Sequence, residues 1–91
     1  MNNQEIAKAA KLLKAIANEK RLKVLYYIAD KELSVGEIEK LVNLSQSALS
    51  QHLAILRAEH IVRTRRKAQT IFYALKDEKV KKILELLRQL F

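Results

Sequence analysis

Apolar residues recur every three or four positions along most of the chain, interrupted once by a stretch with a period of two. The first helical stretch carries Ile6, Ala9, Ala10, Leu13, Ile16 and Ala17 on one side and Lys8, Lys11 and Lys14 on the other. Its Asn2–Glu5 spacing is that of a capping box. Asn18 can cap a second helix that turns Leu22, Leu25, Ile28 and Ala29 inward, and Glu19 suits the positive end of that helix. Asp30-Lys31-Glu32 breaks the pattern. Ser34-Val35-Gly36-Glu37 is a second capping-box sequence and predicts a short helix with Val35, Ile38, Leu41 and Val42 on one face. Asn43 tolerates the left-handed backbone of a sharp turn, and Ser45 caps a fourth helix reaching about Glu59.

Between Ile61 and Leu75 the residues become β-branched and aromatic. Two short antiparallel strands are predicted, Ile61–Arg65 and Thr70–Leu75, joined by the basic hairpin Arg66-Lys67-Ala68-Gln69. Asp77 caps a last helix with Val80, Ile83, Leu84, Leu87, Leu90 and Phe91 on one stripe. Leu86 lies off that stripe, so the helix is apolar over more of its circumference than one core requires. The expected fold is mainly α with a β-hairpin, a single domain over residues 1–91 in the order helix, helix, helix–turn–helix, hairpin, helix.

Composition narrows what such a domain can do. Hydrophobic residues make up 49% and charged residues 31%, a globular balance, while the 5% aromatic share demands an aliphatic core. A chain of 91 residues buries a modest fraction of its surface, which favours a partner. It has no Cys, no Pro and only one Gly, Gly36. Disulfides, thiolate metal sites and glycine-rich phosphate loops are thereby excluded. Glu37 and Glu39 point apart on a helix with no nucleophile or His nearby, so no catalytic constellation exists and neither an enzyme nor a cofactor is expected. No apolar run nears the ~20 residues of a bilayer span. The Met1–Glu5 segment lacks signal-peptide order, so a cytoplasmic location is expected. The net charge of +8 points to a polyanionic partner, nucleic acid before membrane.

The fourth helix sharpens that reading. Leu49, Leu53 and Leu56 share one direction, whereas Ser47, Ser50, Gln51 and Ala54 face the opposite way, with Gln46 near their edge. Solvated helix faces usually carry Lys and Glu; this one is short, uncharged and rich in donors and acceptors, as reading base edges requires. His52 flanks the apolar side and is expected to pack or to contact phosphate, and Arg57 lies near the end. In the hairpin, Arg63, Arg65, Arg66 and Lys67 crowd together without an acidic residue from His60 to Lys76. Alternation sends Arg63 and Arg65 to one face, where phosphates or a minor groove could receive them.

The strings Leu13–Leu22, Leu44–Leu53 (LSQSALSQHL) and Gln69–Leu75, together with Glu32–Glu37 (ELSVGE), resemble the ArsR/SmtB family of bacterial winged helix-turn-helix repressors, most closely its HlyU-like branch. That resemblance implies a recognition helix at Ser45–Arg57, a wing near Arg66–Gln69, and a homodimer built from the first and last helices. The DNA contacts would come from Ser45, Gln46, Ser47, Ser50, Gln51, His52, Arg57, Arg63, Arg65, Arg66, Lys67 and Gln69. The dimer contacts would come from Ile6, Ala9, Leu13, Val80, Ile83, Leu84, Leu87 and Leu90. The spare apolar surface of the last helix agrees with the dimer independently.

Departures from the family are equally informative. The cysteines and last-helix histidines that let relatives sense metals, and the cysteine pair that serves the HlyU-like branch as a redox switch, are missing. No metal and no small-molecule ligand is therefore expected. His60 and Ala68 stand where the family usually has glycine. The expected partners are a second copy of the chain and double-stranded DNA carrying an imperfect inverted repeat, with no membrane. A winged-helix module for protein docking or for a membrane surface is the alternative. Against it, the cations do not form one amphipathic stripe, and the outward helix face carries no carboxylates.

Overall fold

A computed structural model describes residues 1–91. Helix α1 spans Asn3–Ile16 and α2 spans Glu19–Ile28; β1 is Leu33–Ser34; α3 is Val35–Val42 and α4 is Gln46–Ala58; β2 (Val62–Lys67) and β3 (Thr70–Leu75) form the hairpin; α5 is Glu78–Leu90. No helix is long and apolar enough to cross a membrane.

The starts of the helices are where the polar signals predict them. Asn2 and Glu5 close a reciprocal capping box at α1, and Ser34 and Glu37 close another at α3. Asn18 accepts from the amides of Lys20 and Arg21, Ser45 from that of Ala48, and Asp77 from those of Lys79 and Val80. Asn43 ends α3 in the left-handed conformation (φ 53°, ψ 51°), and only Leu44 and the cap Ser45 follow before α4 begins.

Helix α4 ends differently. The His60 amide donates to the Arg57 carbonyl and the Ile61 amide to that of Leu56, the paired bonds of a Schellman motif. The residue that must be left-handed in that motif is His60, at φ 58°. Ala68 at the hairpin tip is left-handed too, at φ 56°. Both residues that the resemblance sets against glycine, His60 and Ala68, thus keep a left-handed φ while carrying a Cβ.

The strands depart from expectation in two ways. Strand β2 starts at Val62 and runs on through Lys67, so only Ala68 and Gln69 make the turn. Strand β1 leaves no mark in the sequence pattern, because two residues are too short to show a period. It pairs with β3, giving the sheet order β1-β3-β2 with Ser34 opposite Phe72 and Arg65 opposite Phe72 on the other side.

One core joins these elements. Val24, Leu25 and Ile28 of α2, Ile38 and Val42 of α3, Leu49, Leu53 and Leu56 of α4, Ile61 just before the hairpin, Tyr73 and Leu75 of β3, and Val80 and Leu84 of α5 all lie in it. No buried side-chain polar atom lacks a partner. The Ile61 carbonyl accepts the amides of both Lys76 and Asp77, which ties the end of α4, the base of the hairpin and the start of α5 together. The Tyr26 hydroxyl donates to the Leu84 carbonyl at 2.9 Å and joins α2 to α5. This is a winged helix-turn-helix.

The outer helices are less covered. Helix α1 buries only Ala15 and Ile16. Ile6 is 53% exposed, Leu13 51%, Leu86 53% and Leu90 66%. Leu41, expected on the inner face of α3, is also exposed.

Candidate nucleic-acid interface

Helix α4 presents the surface its sequence foretells. Leu49, Leu53 and Leu56 are buried, while Gln46, Ser47, Ser50, Gln51, Ala54 and Arg57 are exposed. The Ser45 oxygen is occupied by its capping bond from Ala48 at 3.1 Å, which leaves the hydroxyl proton free to donate. Gln46, Ser50 and Arg57 line a groove together with Gln69, Thr70, Ile71 and Tyr73 of the wing and with Ser34 and Gly36. Gln46, Ser50 and Arg57 of α4 and Gln69 at the wing tip, distant in sequence, therefore share one concave surface, which the basic residues of β2 do not line.

His52 turns the other way. Its Nδ1 lies 3.2 Å from Nη1 of Arg21. A guanidinium has only donors, so the ring nitrogen accepts and the imidazole proton sits on Nε2. Burial, and then the charges of Arg21 and Lys20, hold the histidine below its ordinary value of 6.5. Arg21 also gives Nε–H to the Ala15 carbonyl at 2.5 Å and Nη2–H to the Lys14 carbonyl at 3.3 Å. It thereby satisfies the last turn of α1 while orienting His52 on α4. Sequence reasoning missed Arg21; only its place just after the Asn18 cap could have drawn notice.

On the wing, every residue of β2 after Val62 is exposed. The pairing puts Arg63, Arg65 and Lys67 on one face opposite Ala74, Phe72 and Thr70, and puts Arg66 on the other face opposite Ile71. Arg65 is not a free cation. Its Nε–H lies 3.1 and 3.2 Å from the two Glu32 oxygens, its Nη2 lies 2.6 Å from Oε1, and its guanidinium carbon sits 4.6 Å from the Phe72 ring centre. The bond from Arg65, aided by the charges of Arg65 and Arg63, holds the Glu32 carboxyl below the usual carboxylate range. The sequence showed no acid near the hairpin because this one arrives from 33 positions earlier, beside β1.

Of the residues expected at a dimer contact, Ile6, Leu13 and Leu90 are exposed, Ala9, Ile83 and Leu87 are half-buried, and Val80 and Leu84 belong to the core of the single chain.

The family model described as "Bacterial regulatory protein, arsR family" matches residues 18–64, which run from the cap of α2 into β2. The chain is similar to the transcriptional activator HlyU of Vibrio cholerae serotype O1, with 55% identity over 95 residues covering all of this chain and 88% of HlyU. It is also similar to the nodulation protein NolR of Rhizobium meliloti, with 49% identity over 91% of this chain and 68% of NolR. A solved structure of HlyU from Vibrio cholerae superposes with a TM-score of 0.94 at 53% identity, covering 99% of this chain and 98% of that one.

Proposed function

The chain belongs to the arsR family of bacterial regulatory proteins, DNA-binding transcription regulators rather than enzymes, and from that premise we propose that it acts as a homodimer reading an imperfect inverted repeat. One observation carries this reading. An exposed, hydrogen-bonding helix face shares a groove with Gln69 of the wing, next to the exposed cations Arg63, Arg66 and Lys67 of β2, on a core that buries the opposite face of the same helix.

The exposed and half-buried apolar residues of α1 and α5 are the material of the dimer: Ile6, Ala9, Leu13, Ile83, Leu87 and Leu90 supply it, while Val80 and Leu84 support it from beneath. Two α4 helices would then enter successive major grooves roughly 34–36 Å apart. Gln46, Ser47, Ser50 and Gln51 read base edges. Ser45, Arg57, Arg63, Arg66, Lys67 and Gln69 position the protein on the backbone or in the minor groove. His52, held by Arg21, fixes α4 on the body of the domain. No metal, thiol chemistry or small-molecule effector is assigned, and the place of action is the cytoplasm.

The test is binding of Gln51→Ala to a selected site and to random duplex at stated salt. A loss of about 1–3 kcal/mol on the selected site, and far less on random DNA, is expected. Equal weakening on both would mean that α4 does not read sequence.

A further inference from the structure

The outer face of the wing carries a constellation that DNA binding alone leaves unexplained. Phe72 of β3 stands between Ser34 of β1 and Arg65 of β2, so the Arg65 guanidinium crosses the Phe72 ring to reach Glu32 just before β1. An exposed ion pair usually contributes little, because flexible side chains lose freedom to form it. This pair is bidentate and stacked, and a planar guanidinium loses less when its fork and its face are both engaged. Its position matters as well. Strand β1 ends beside the Arg65–Phe72 rung, and beyond it the hairpin has only the Arg66–Ile71 and Lys67–Thr70 rungs before the turn.

Moving Arg65 onto a phosphate would exchange one charge-assisted pair for another. It would also leave Glu32 an unpaired carboxylate facing a polyanion. Arg63, Arg66 and Lys67 have no acidic partner within salt-bridge distance.

We propose that Arg65, paired with Glu32 and stacked on Phe72, is neutralised in place, and that Glu32 thereby withholds this one arginine from the DNA backbone. Arg63, Arg66 and Lys67 are then the wing's phosphate cations. This inference rests on the DNA-binding reading and deepens the wing's part in it.

The experiment measures the affinity of the full chain for a selected duplex and a random duplex across about 50–200 mM salt. The proteins are wild type, Arg66→Ala, Arg65→Ala, Glu32→Gln and the Glu32→Gln/Arg65→Ala double variant, with circular dichroism verifying that each is folded. Removing one phosphate contact from each protomer flattens the log–log salt slope by about 1.8 per dimer, which is expected of Arg66→Ala. Arg65→Ala should keep the wild-type slope. Glu32→Gln should steepen it by about 1.8, a gain that vanishes in the double variant. A slope for Arg65→Ala as flat as that for Arg66→Ala overturns the proposal, and so does an unchanged slope for Glu32→Gln. Wild-type protein that binds neither duplex overturns the DNA-binding reading itself, a result distinguishable from the other two.

Discussion

His60→Gly should make this protein more stable, although it removes a side chain and adds none. His60 closes the Schellman motif after α4 at φ 58°, with both of the motif's hydrogen bonds formed at 3.0 Å and the flanking Leu56 and Ile61 fully buried. The backbone there is therefore fixed by its surroundings, and the histidine side chain is exposed. A residue with a Cβ held in this region costs about 1–2 kcal/mol, with His toward the lower end because it visits the region more readily than most. Glycine removes that cost but loosens the unfolded chain by about 0.4–1 kcal/mol. The net gain is about 0–1 kcal/mol, at most roughly 4–8 °C in Tm for a domain of this size. Thermal unfolding followed by circular dichroism, at one fixed protomer concentration, measures it. His60→Ala keeps a Cβ in the same conformation and should melt close to wild type. Gly36→Ala is the complementary control: a Cβ there meets only Ser34 Oγ at 4.0 Å, in a helix at ordinary φ, so it too should stabilise, by about 0.5–1 kcal/mol. If His60→Gly and His60→Ala melt together, the left-handed backbone carries no cost, and the reasoning fails.

Leu87→Glu should yield monomers or insoluble protein by sedimentation; a stable wild-type monomer at micromolar concentration would refute the dimer. His52 has a folded pKa below its unfolded one, so stability is fully present above about pH 6.5 and declines as pH falls below it toward the folded pKa, because the unfolded chain takes up the proton first. His52→Gln should flatten that part of the stability–pH curve, and an unchanged curve would assign the decline to other groups. Oxidant or Zn²⁺ at stoichiometric concentration should not weaken operator binding; a tenfold loss, about 1.4 kcal/mol of coupling, would reveal an unassigned sensor site.

The legible parts of this fold were those governed by local chemistry. Asn2, Asn18, Ser34, Ser45 and Asp77 all cap helices because a side-chain oxygen satisfying a nearby amide is a matter of a few residues. The outward face of α4 was legible because helical geometry sorts its residues without help from the rest of the chain. What escaped notice depends on contacts between distant segments. Leu33 and Ser34 become a strand only because β3 offers them an edge. Glu32 meets Arg65, and Arg21 meets His52, across 33 and 31 positions with no pattern to announce either. The wing's sequence shows its charge as a sum and hides its distribution, since one of its arginines already has a carboxylate.

The two amides that converge on the Ile61 carbonyl have a consequence for operator architecture. The recognition helix and the proposed dimerisation helix are clamped through a single peptide group, with no proline- or glycine-bearing linker between them. In the proposed dimer the separation of the two reading heads would be set by how the α5 helices cross, with no elastic segment to adjust it. Adding one base pair between half-sites moves them apart by about 3.4 Å and rotates one relative to the other by roughly 35°. A jointed protein could absorb such a change. This one would lose one of its two half-sites, so its operators should be nearly uniform in spacing even where their sequences diverge.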